Sequence, residues 1–255
     1  MGGDGFQMAR FFVSPEAVDR DSGRIYINGG DVNHIKNVLR LGEGEHLEIS
    51  DGSLNEYDAR IETFEKDRIT AAIVKASKNS TEPPIEVTLY QGIPKSDKMD
   101  LIIQKCVELG VSRVVPVITG RTVVKFGSGR DAAEKTARWQ KISLEASKQC
   151  GRGRIPVVTE PVKLEKALKD ARGYELCIIP YEKESVRGIA AVLTAGKFRN
   201  AGVFIGPEGG FTEDEIRLAR DSGAAPVSLG PRILRTETAG LAVLSILMYE
   251  AGDMR

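Results

Sequence analysis

Two segments near the C-terminus combine glycine, proline and charged residues in a way that could build a ligand site. The first runs from an apolar strand into Gly206-Pro-Glu-Gly-Gly210 and then into an acidic helix. The glycines allow positive φ and close approach of a ligand to the backbone, while the proline stiffens the turn. Taken alone, this pattern equally fits an ordinary strand-to-helix connection. Glu208, however, is not needed for a tight turn and is available for chemistry.

The second segment, residues 229–239, also follows a strand and opens a helix. It mixes two arginines and Glu237 with an adjacent isoleucine and leucine, which could line an adenine slot. Alternatively, Arg235 pairs with Glu237, and Thr236 caps the last helix. Open α/β sheets bind ligands at the carboxyl ends of their strands, so two such loops at adjacent strand ends favour a ligand pocket.

The elements that must position these loops alternate between strand and helix after residue 84, which predicts an α/β domain with a parallel sheet. The predicted strands are residues 85–92, 113–118, 176–180, 202–205 and 226–229, and the predicted helices are residues 97–109, 131–149, 164–171, 186–193, 212–221 and 236–249. Thr212 and Glu215 have the spacing of a capping box at the start of one helix.

The N-terminal part has a different character. Residues 10–76 form short strand-like pieces interrupted by one helical piece at residues 34–41. A polar stretch with a double proline, residues 78–84, follows and is typical of a linker. We therefore predict a small domain over residues 8–77 and a larger one over residues 84–255.

Composition limits the function classes. The 255 residues contain no apolar run near the ~20 needed to span a bilayer, and residues 1–7 lack the apolar core of a secretory signal. We therefore expect a soluble, cytoplasmic protein. The three cysteines and two histidines are too scattered to indicate a metal site. We expect no metal and an organic cofactor.

The net charge is zero, but the basic residues are unevenly distributed. Between residues 121 and 154 there are nine basic residues against three acidic ones, a pattern that suits a phosphate-tracking surface. Arg138, Lys141, Lys148 and Arg152 recur at spacings near three, four and seven within this band. Lys95 and Lys98, at the end of the first strand of the larger domain, could reach a backbone phosphate. These features favour RNA as the partner, although charged helices are more often solvated faces.

One motif suggests a different cofactor, a dinucleotide. Gly127-Ser-Gly-Arg-Asp-Ala132 fits the G-x-G-x-x-A pattern of dinucleotide-binding proteins. That fold requires an acidic residue at the end of the next strand, about 20 residues later, where this sequence predicts a helix instead. A dinucleotide-dependent oxidoreductase is nevertheless one alternative function, and a non-catalytic RNA-binding module is another.

The sequence resembles the RsmE family of small-subunit ribosomal RNA methyltransferases, within the SPOUT class, over nearly its whole length. The matching residues are Met8-Ala-Arg-Phe-Phe-Val13, His34 with Val38-Leu-Arg40, Lys95 with Asp97-Lys98, Val107-Glu-Leu-Gly110, Arg138-Trp139, Glu145-Ala146 with Gln149 and Arg152, Ile205-Gly-Pro-Glu-Gly-Gly210, and Leu229-Gly230 with Ile233-Leu-Arg-Thr-Glu-Thr-Ala239. Met99 departs mildly from the family, which often has a charged residue there.

The resemblance implies a PUA-like β-barrel followed by an α/β domain with a C-terminal trefoil knot, a rare exception to the rule that chains do not thread. It also implies a homodimer and methylation of N3 of a uridine near the decoding centre of 16S ribosomal RNA. The expected partner is that RNA within the assembled small subunit. The implied cofactor is S-adenosylmethionine. The three loops expected to hold it contain Ile179, Pro180, Tyr181, Glu182, Ile205, Gly206, Pro207, Glu208, Gly209, Gly210, Leu229, Gly230, Ile233, Leu234, Arg235 and Thr236.

Two further sets of site residues complete the hypothesis. For catalysis, Glu208 or Glu237 would take the N3 proton, and Arg235 would stabilise the negative charge that develops on the uracil oxygens. The alternative is that these residues have a structural role and hold the loops together. The residues expected to bind RNA are Arg10, His34, Arg40, Lys95, Lys98, Arg121, Arg138 and Arg152.

Overall fold

The computed structural model describes residues 9–124, 129–194 and 196–254, which form two compact units. The first contains the described residues up to Glu82 together with Ser147–Ile155, and the second contains Pro83–Ala146 and the described residues from Pro156 onward. Met8, Gly127 and Ser128 lie outside the described residues, whereas residues 129–132 of the dinucleotide-like motif are helical.

The first unit is built on a six-stranded sheet over a core of isoleucine, leucine and aromatic side chains. Its strands are β1 (Arg10–Phe12), β2 (Val18–Asp19), β3 (Arg24–Asn28), β4 (His46–Ser50), β5 (Asn55–Phe64) and β6 (Arg68–Lys78). Their order is β1-β4-β5-β6-β3-β2, antiparallel except for β1 and β4. Closure into a barrel stays a prediction.

The helical piece predicted in this unit begins earlier than expected. Helix α1 (Gly30–Asn33) continues directly into a π-helical segment, His34–Val38. Arg40, just beyond it, has a φ of 56°, a left-handed conformation that a non-glycine residue adopts at some energetic cost. The helical stretch therefore ends before residue 41.

The second unit contains the predicted parallel sheet, which is confirmed. Its strands are β7 (Glu86–Gly92), β8 (Arg113–Ile118), β9 (Val157–Val158), β10 (Val162–Lys163), β11 (Leu176–Pro180), β12 (Asn200–Ile205) and β13 (Ala225–Val227). Their order is β10-β8-β7-β12-β11-β13, with β9 beside β8. The pairings register Ile178 with Val203 and Pro180 with Val227, so β11, β12 and β13 end at the same edge.

Six helices belong to the α/β pattern: α2 (Lys98–Glu108), α3 (Gly129–Cys150), α4 (Leu164–Asp170), α5 (Ile189–Leu193), α6 (Glu213–Asp221) and α7 (Thr236–Ala251). α7 is largely apolar and packs against α2, β7 and β12. Even so, no described helix combines the length and the apolar character that crossing a bilayer requires.

The helix predicted from residue 186 starts three residues later, so that part of the prediction is wrong. The Glu184 carboxylate accepts the backbone N–H groups of Val186 and Arg187 at 3.0 and 3.2 Å. Arg187 O and Ile189 N also bond to the backbone of Ser228. These bonds satisfy the segment without a helix, and α5 begins only after Gly188.

Candidate cofactor site

The loops after β11, β12 and β13 surround one cavity of about 520 Å³. Its lining residues are Pro180, Tyr181, Glu182, Ile205, Gly206, Pro207, Glu208, Gly209, Gly210, Phe211, Ser228, Leu229, Gly230, Pro231, Arg232, Ile233, Leu234, Arg235, Thr236 and Ala239. The structure therefore brings together every predicted cofactor-binding residue except Ile179, which is fully buried in the core below.

The loop of residues 206–210, called here the glycine loop, is a closed turn. Gly210 has a φ of 67°, and its N–H donates to Pro207 O at 2.9 Å. A Cβ atom on Gly206 would lie 2.9 Å from Gly210 Cα, closer than non-bonded carbons approach. Both positions therefore require glycine for a geometric reason.

The end of β7 supports the same loop. A Cβ atom on Gly92 would lie 2.6 Å from Pro207 Cδ and 2.7 Å from its backbone nitrogen. Strand β7 pairs with β12, so Pro207, two residues beyond β12, packs against the end of β7. Sequence reasoning missed Gly92 as a site residue; its position at the end of a strand next to β12 was the only available signal.

Thr236 links the second and third loops. Its hydroxyl donates to Gly206 O at 2.6 Å and accepts a hydrogen bond from the buried Gln91 amide at 2.9 Å. The alternative in which Thr236 caps the last helix is wrong, because Arg235 occupies the N-cap position and Thr236 is the first helical residue. Gln91 is a second residue that the sequence analysis missed.

Glu208 and Glu237 meet at Lys98. Lys98 Nζ forms two ion pairs, at 3.2 Å with Glu208 Oε1 and at 3.3 Å with Glu237 Oε2. The Glu208 carboxylate also accepts the Lys95 N–H at 3.2 and 3.3 Å. This arrangement differs from the predicted alternative of an Arg235–Glu237 pair.

These contacts change the electrostatics of Glu208. Partial burial raises its pKa, but hydrogen bonds from its own N–H, from Lys98 and from the Lys95 N–H outweigh that effect and leave the pKa below its ordinary value. The same bond to Glu208 raises the pKa of Lys98. Glu208 is thus a carboxylate and Lys98 an ammonium at neutral pH, and both groups are already engaged with protein partners.

The far side of the glycine loop contacts the turn after β8. Arg121 donates a hydrogen bond to Gly209 O, and Gly120 N–H donates to Glu215 Oε1 at 2.7 Å. Glu215 also completes the predicted capping box with Thr212, which is confirmed: each side chain accepts the other residue's backbone N–H.

Two of the predicted RNA-binding residues are buried in the first unit. Arg152 makes two 2.8 Å hydrogen bonds to the Glu82 carboxylate. Arg10 pairs with Glu48 and Glu56, and its guanidinium also donates to Arg152 O at 2.9 Å. Their side chains are only 5% and 7% exposed. This burial argues against the RNA role predicted for both arginines, because phosphate contacts need an accessible cation.

The remaining predicted RNA-binding residues are spread over both units. Lys95 and Arg40 are exposed, and His34 is half-buried with its ring edge-on to Phe11 at 5.9 Å between centroids. Arg138 is 61% exposed and pairs with Asp100. The structure therefore leaves these four accessible, whereas Lys98 and Arg121 contact the glycine loop.

Comparison with known proteins matches two successive parts of the chain to known families. Residues 81–248 match the family model of an RNA methyltransferase domain, and residues 27–74 match that of an RNA methyltransferase PUA domain. A Bacillus subtilis protein named ribosomal RNA small subunit methyltransferase E is 32% identical over 97% of this chain and 99% of its own length.

Two solved structures are similar along nearly the whole chain. One is a ribosomal RNA small subunit methyltransferase E from Neisseria gonorrhoeae bound to S-adenosylmethionine, 34% identical with a TM-score of 0.84 over 95% of this chain and 97% of that one. The other is a putative methyltransferase from Legionella pneumophila with the same cofactor, 33% identical with a TM-score of 0.85 over 95% and 98%. Because its sequence matches the family model and full-length relatives, the chain belongs to the ribosomal RNA small subunit methyltransferase E family.

Proposed function

We propose that this protein uses S-adenosylmethionine to methylate small-subunit ribosomal RNA, at N3 of a uridine in 16S RNA near the decoding centre. The observation that carries the proposal is the convergence of three loops on one cavity. The named relatives act on ribosomal RNA of the small subunit, and two similar structures hold S-adenosylmethionine.

The cavity suits this cofactor. Its volume of about 520 Å³ falls in the usual range for small-molecule sites, roughly 300–1,000 Å³. The glycine loop offers backbone without side chains, Leu234 offers an apolar wall, and Glu182 and Arg232 offer opposite charges. Together these groups fit a molecule with an aromatic base, ribose hydroxyls and a zwitterionic amino acid end. Bound there, S-adenosylmethionine supplies an activated methyl group.

Arg235 is the residue that we assign to the substrate. Its side chain is exposed at the cavity and has no hydrogen bond or ion pair with any residue that the structure describes. When N3 of uracil loses its proton, negative charge spreads to O2 and O4, and a guanidinium beside them lowers the barrier. The target base would first turn out of its stack to reach this loop.

The geometry argues against Glu208 and Glu237 as the proton acceptor. Glu208 has a lowered pKa and is bonded to Lys98 and Lys95, and Glu237 Oε2 is shielded from solvent. We expect Glu208→Gln to keep the pH dependence of single-turnover methylation. Loss of the acidic limb of that profile in Glu208→Gln or Glu237→Gln would identify the altered carboxylate as the base.

In this proposal accessible basic residues of each unit bind RNA: His34 and Arg40 in the first unit, and Lys95 and Arg138 in the second. If Arg138 contacts phosphate, Arg138→Gln should weaken RNA binding and reduce the slope of log affinity against log salt by about one. Arg10→Gln is not a suitable control because Arg10 is buried. Arg217→Gln is a suitable control, since Arg217 is exposed and pairs with Asp214 within α6. An unchanged slope in Arg138→Gln would show that Arg138 does not contact an RNA phosphate.

The proposal includes a cytoplasmic homodimer with a knotted C-terminal region. After the edge strand β13 the chain returns to the centre of the sheet, where Thr236 bonds to Gly206 and α7 packs on β7 and β12. This return path supports the proposed knot. Leu101 on α2 and Tyr249 on α7 are large, exposed apolar residues on two helices that pack together. Sedimentation of the parent and of Leu101→Asp tests whether this face joins two subunits.

The decisive experiment is transfer of tritiated methyl from S-adenosylmethionine to naked 16S RNA and to assembled small subunits, followed by nucleoside analysis. The proposal predicts labelled N3-methyluridine. Another labelled nucleoside would overturn the position, and no label on either substrate would overturn the reaction. Calorimetry with NAD(P) tests the rival oxidoreductase function, and absence of binding by either cofactor would favour an RNA-binding module.

A further inference from the structure

We propose that Lys98 and Arg121 are positioning residues that brace the glycine loop from two sides and hold it in its cofactor-binding form. The inference rests on the proposed S-adenosylmethionine site. Both residues have the charge and location of phosphate ligands in the sequence, yet the structure directs both side chains to residues 208 and 209 of this loop.

Arg121 braces the loop from the side of β8. Its guanidinium donates to Gly209 O, and a Cβ atom on Gly209 would lie 3.1 Å from Arg121 Cδ and 3.2 Å from its Cβ. The aliphatic part of the arginine therefore lies against the face where Gly209 has no side chain. Both the aliphatic chain and the guanidinium of Arg121 therefore contact the loop.

The turn that carries Arg121 is itself anchored. Thr119 N–H donates to Thr122 Oγ1 at 2.9 Å, and Gly120 N–H donates to Glu215 Oε1 at 2.7 Å. Glu215 lies in the capping box of α6. Because this turn is tied to α6, Arg121 can restrain the loop and need not follow its motion.

Lys98 braces the loop from the side of β7. Its ammonium bridges Glu208 in the glycine loop and Glu237 in the first turn of α7. One cation thereby keeps together two carboxylates that would otherwise repel each other. The preceding Ser96 has a φ of 57°, and this left-handed residue turns the chain so that Lys95 N–H also meets Glu208.

The two braces have a common consequence. With Thr236 bonded to Gly206 O, residues 206, 208 and 209 of the loop are each held by a different element. A loop that is already ordered loses less conformational entropy when a ligand binds. The cations should therefore contribute to cofactor affinity without touching the cofactor.

The test uses charge-removing variants of the full-length protein with matched controls. Lys98→Met and Arg121→Met remove the braces. Lys105→Met removes a lysine of the same helix that pairs only locally with Glu108, and Arg217→Met removes an arginine that pairs with Asp214. We expect each brace variant to raise the Kd for S-adenosylmethionine about tenfold in calorimetry, as loss of a charge-assisted hydrogen bond implies.

Three further measurements separate bracing from a general loss of structure. We expect the KM for S-adenosylmethionine to rise while kcat is retained, the affinity of the cofactor-free protein for RNA to stay the same, and Lys98→Arg to restore cofactor affinity. The two control variants should match the parent in all these measurements. Reduced RNA affinity with an unchanged cofactor Kd would overturn the proposal and make the two residues phosphate ligands.

Hydrogen exchange of residues 206–210 in the cofactor-free protein gives an independent result. Bracing predicts faster exchange there in Lys98→Met and Arg121→Met than in the parent and the controls, and unchanged exchange would overturn it. If the parent itself did not bind S-adenosylmethionine, the proposed function would fail, and the exchange data would still decide whether the cations brace this loop.

Discussion

At the residue scale, the site depends on a few side chains that serve the loop backbone. Thr236 makes two hydrogen bonds with one hydroxyl, to Gly206 O and from the Gln91 amide. Both partners are protein groups that water reaches poorly, and Gln91 is completely buried. Removing the hydroxyl would leave a donor and an acceptor without partners, which costs more than the bonds themselves contribute.

Thr236→Val, which keeps the shape of the side chain, should therefore destabilise the second unit by about 1–3 kcal/mol and weaken S-adenosylmethionine binding. Thermal unfolding and calorimetry measure the two effects. Ser245→Ala is the matched control, since Ser245 bonds only to Leu241 O within the same helix. Equal effects of the two substitutions would show that the link between the loops has no special importance.

Gly92 gives a second prediction at this scale. Alanine there would place a carbon 2.6 Å from Pro207 Cδ, and the resulting overpacking should cost about 1–3 kcal/mol and displace the glycine loop. Gly240→Ala is the control because its Cβ would meet neighbours at an ordinary 3.8 Å. We expect cofactor affinity to fall only in Gly92→Ala; an unchanged Kd would mean that the loop accommodates the methyl group.

The lining of the cavity could be predicted from sequence because each loop is a short local motif. The partners of its charged residues could not. Glu208 meets the lysines at 95 and 98 across more than 100 residues of chain, and its short-range neighbours gave no indication of this. The partner of Arg121 could not be predicted for the same reason. Its bond to Gly209 O depends on which strands are adjacent, and sequence periodicity does not encode that order.

At the scale of elements, the sequence predicted the start of a helix correctly where residues at that start mark it. Helix α6 begins where its capping box predicts, and α7 begins at the predicted Thr236. The two-residue strands β9 and β10 were missed because they are too short to show alternation. The start of α5 was misplaced because the Glu184 carboxylate satisfies backbone N–H groups that a helix would have used.

The capping box gives a prediction for α6. Thr212→Ala removes the hydroxyl that accepts the Glu215 N–H, and loss of an N-cap typically costs about 1 kcal/mol. Hydrogen exchange should therefore be faster in the first turn of α6. Thr194→Ala is a control, since Thr194 bonds back to Ala190 O at the end of α5. No change in α6 exchange would contradict the assigned cap.

At the scale of the whole molecule, the first unit is completed by a segment from much later in the chain. Arg152 is buried against Glu82, whose carboxylate also accepts the Gly153 and Arg154 N–H groups. Burial alone raises the pKa of Glu82, but Arg152 and these N–H groups outweigh it, so the pKa lies below its ordinary 4.5. The ionised form is therefore the one that the folded unit favours.

This lowered pKa predicts how stability depends on pH. The contribution of Glu82 is fully present above the ordinary pKa of 4.5 and is lost as pH falls below that value, through the lower pKa of the folded state. Hydrogen exchange of β4 and β5 across this range measures the loss. Glu82→Gln should destabilise the unit by about 3 kcal/mol, since it removes the negative charge that two hydrogen bonds join to a buried arginine, and should flatten the pH response. If Glu82→Gln kept the pH dependence of the parent, another carboxylate would be responsible for the loss of stability at low pH.

The membership of Ser147–Ile155 in the first unit has a consequence for modular inheritance. A gene fragment that ends at residue 82 encodes every strand of that sheet but lacks Arg152, Gly151 and Gly153, which bond to Glu82, Asn79 and Ser50 respectively. Recombination at the linker would therefore transfer an incomplete fold. The unit can be exchanged between proteins only when the recipient supplies an equivalent return segment, so the two regions are expected to have been inherited together.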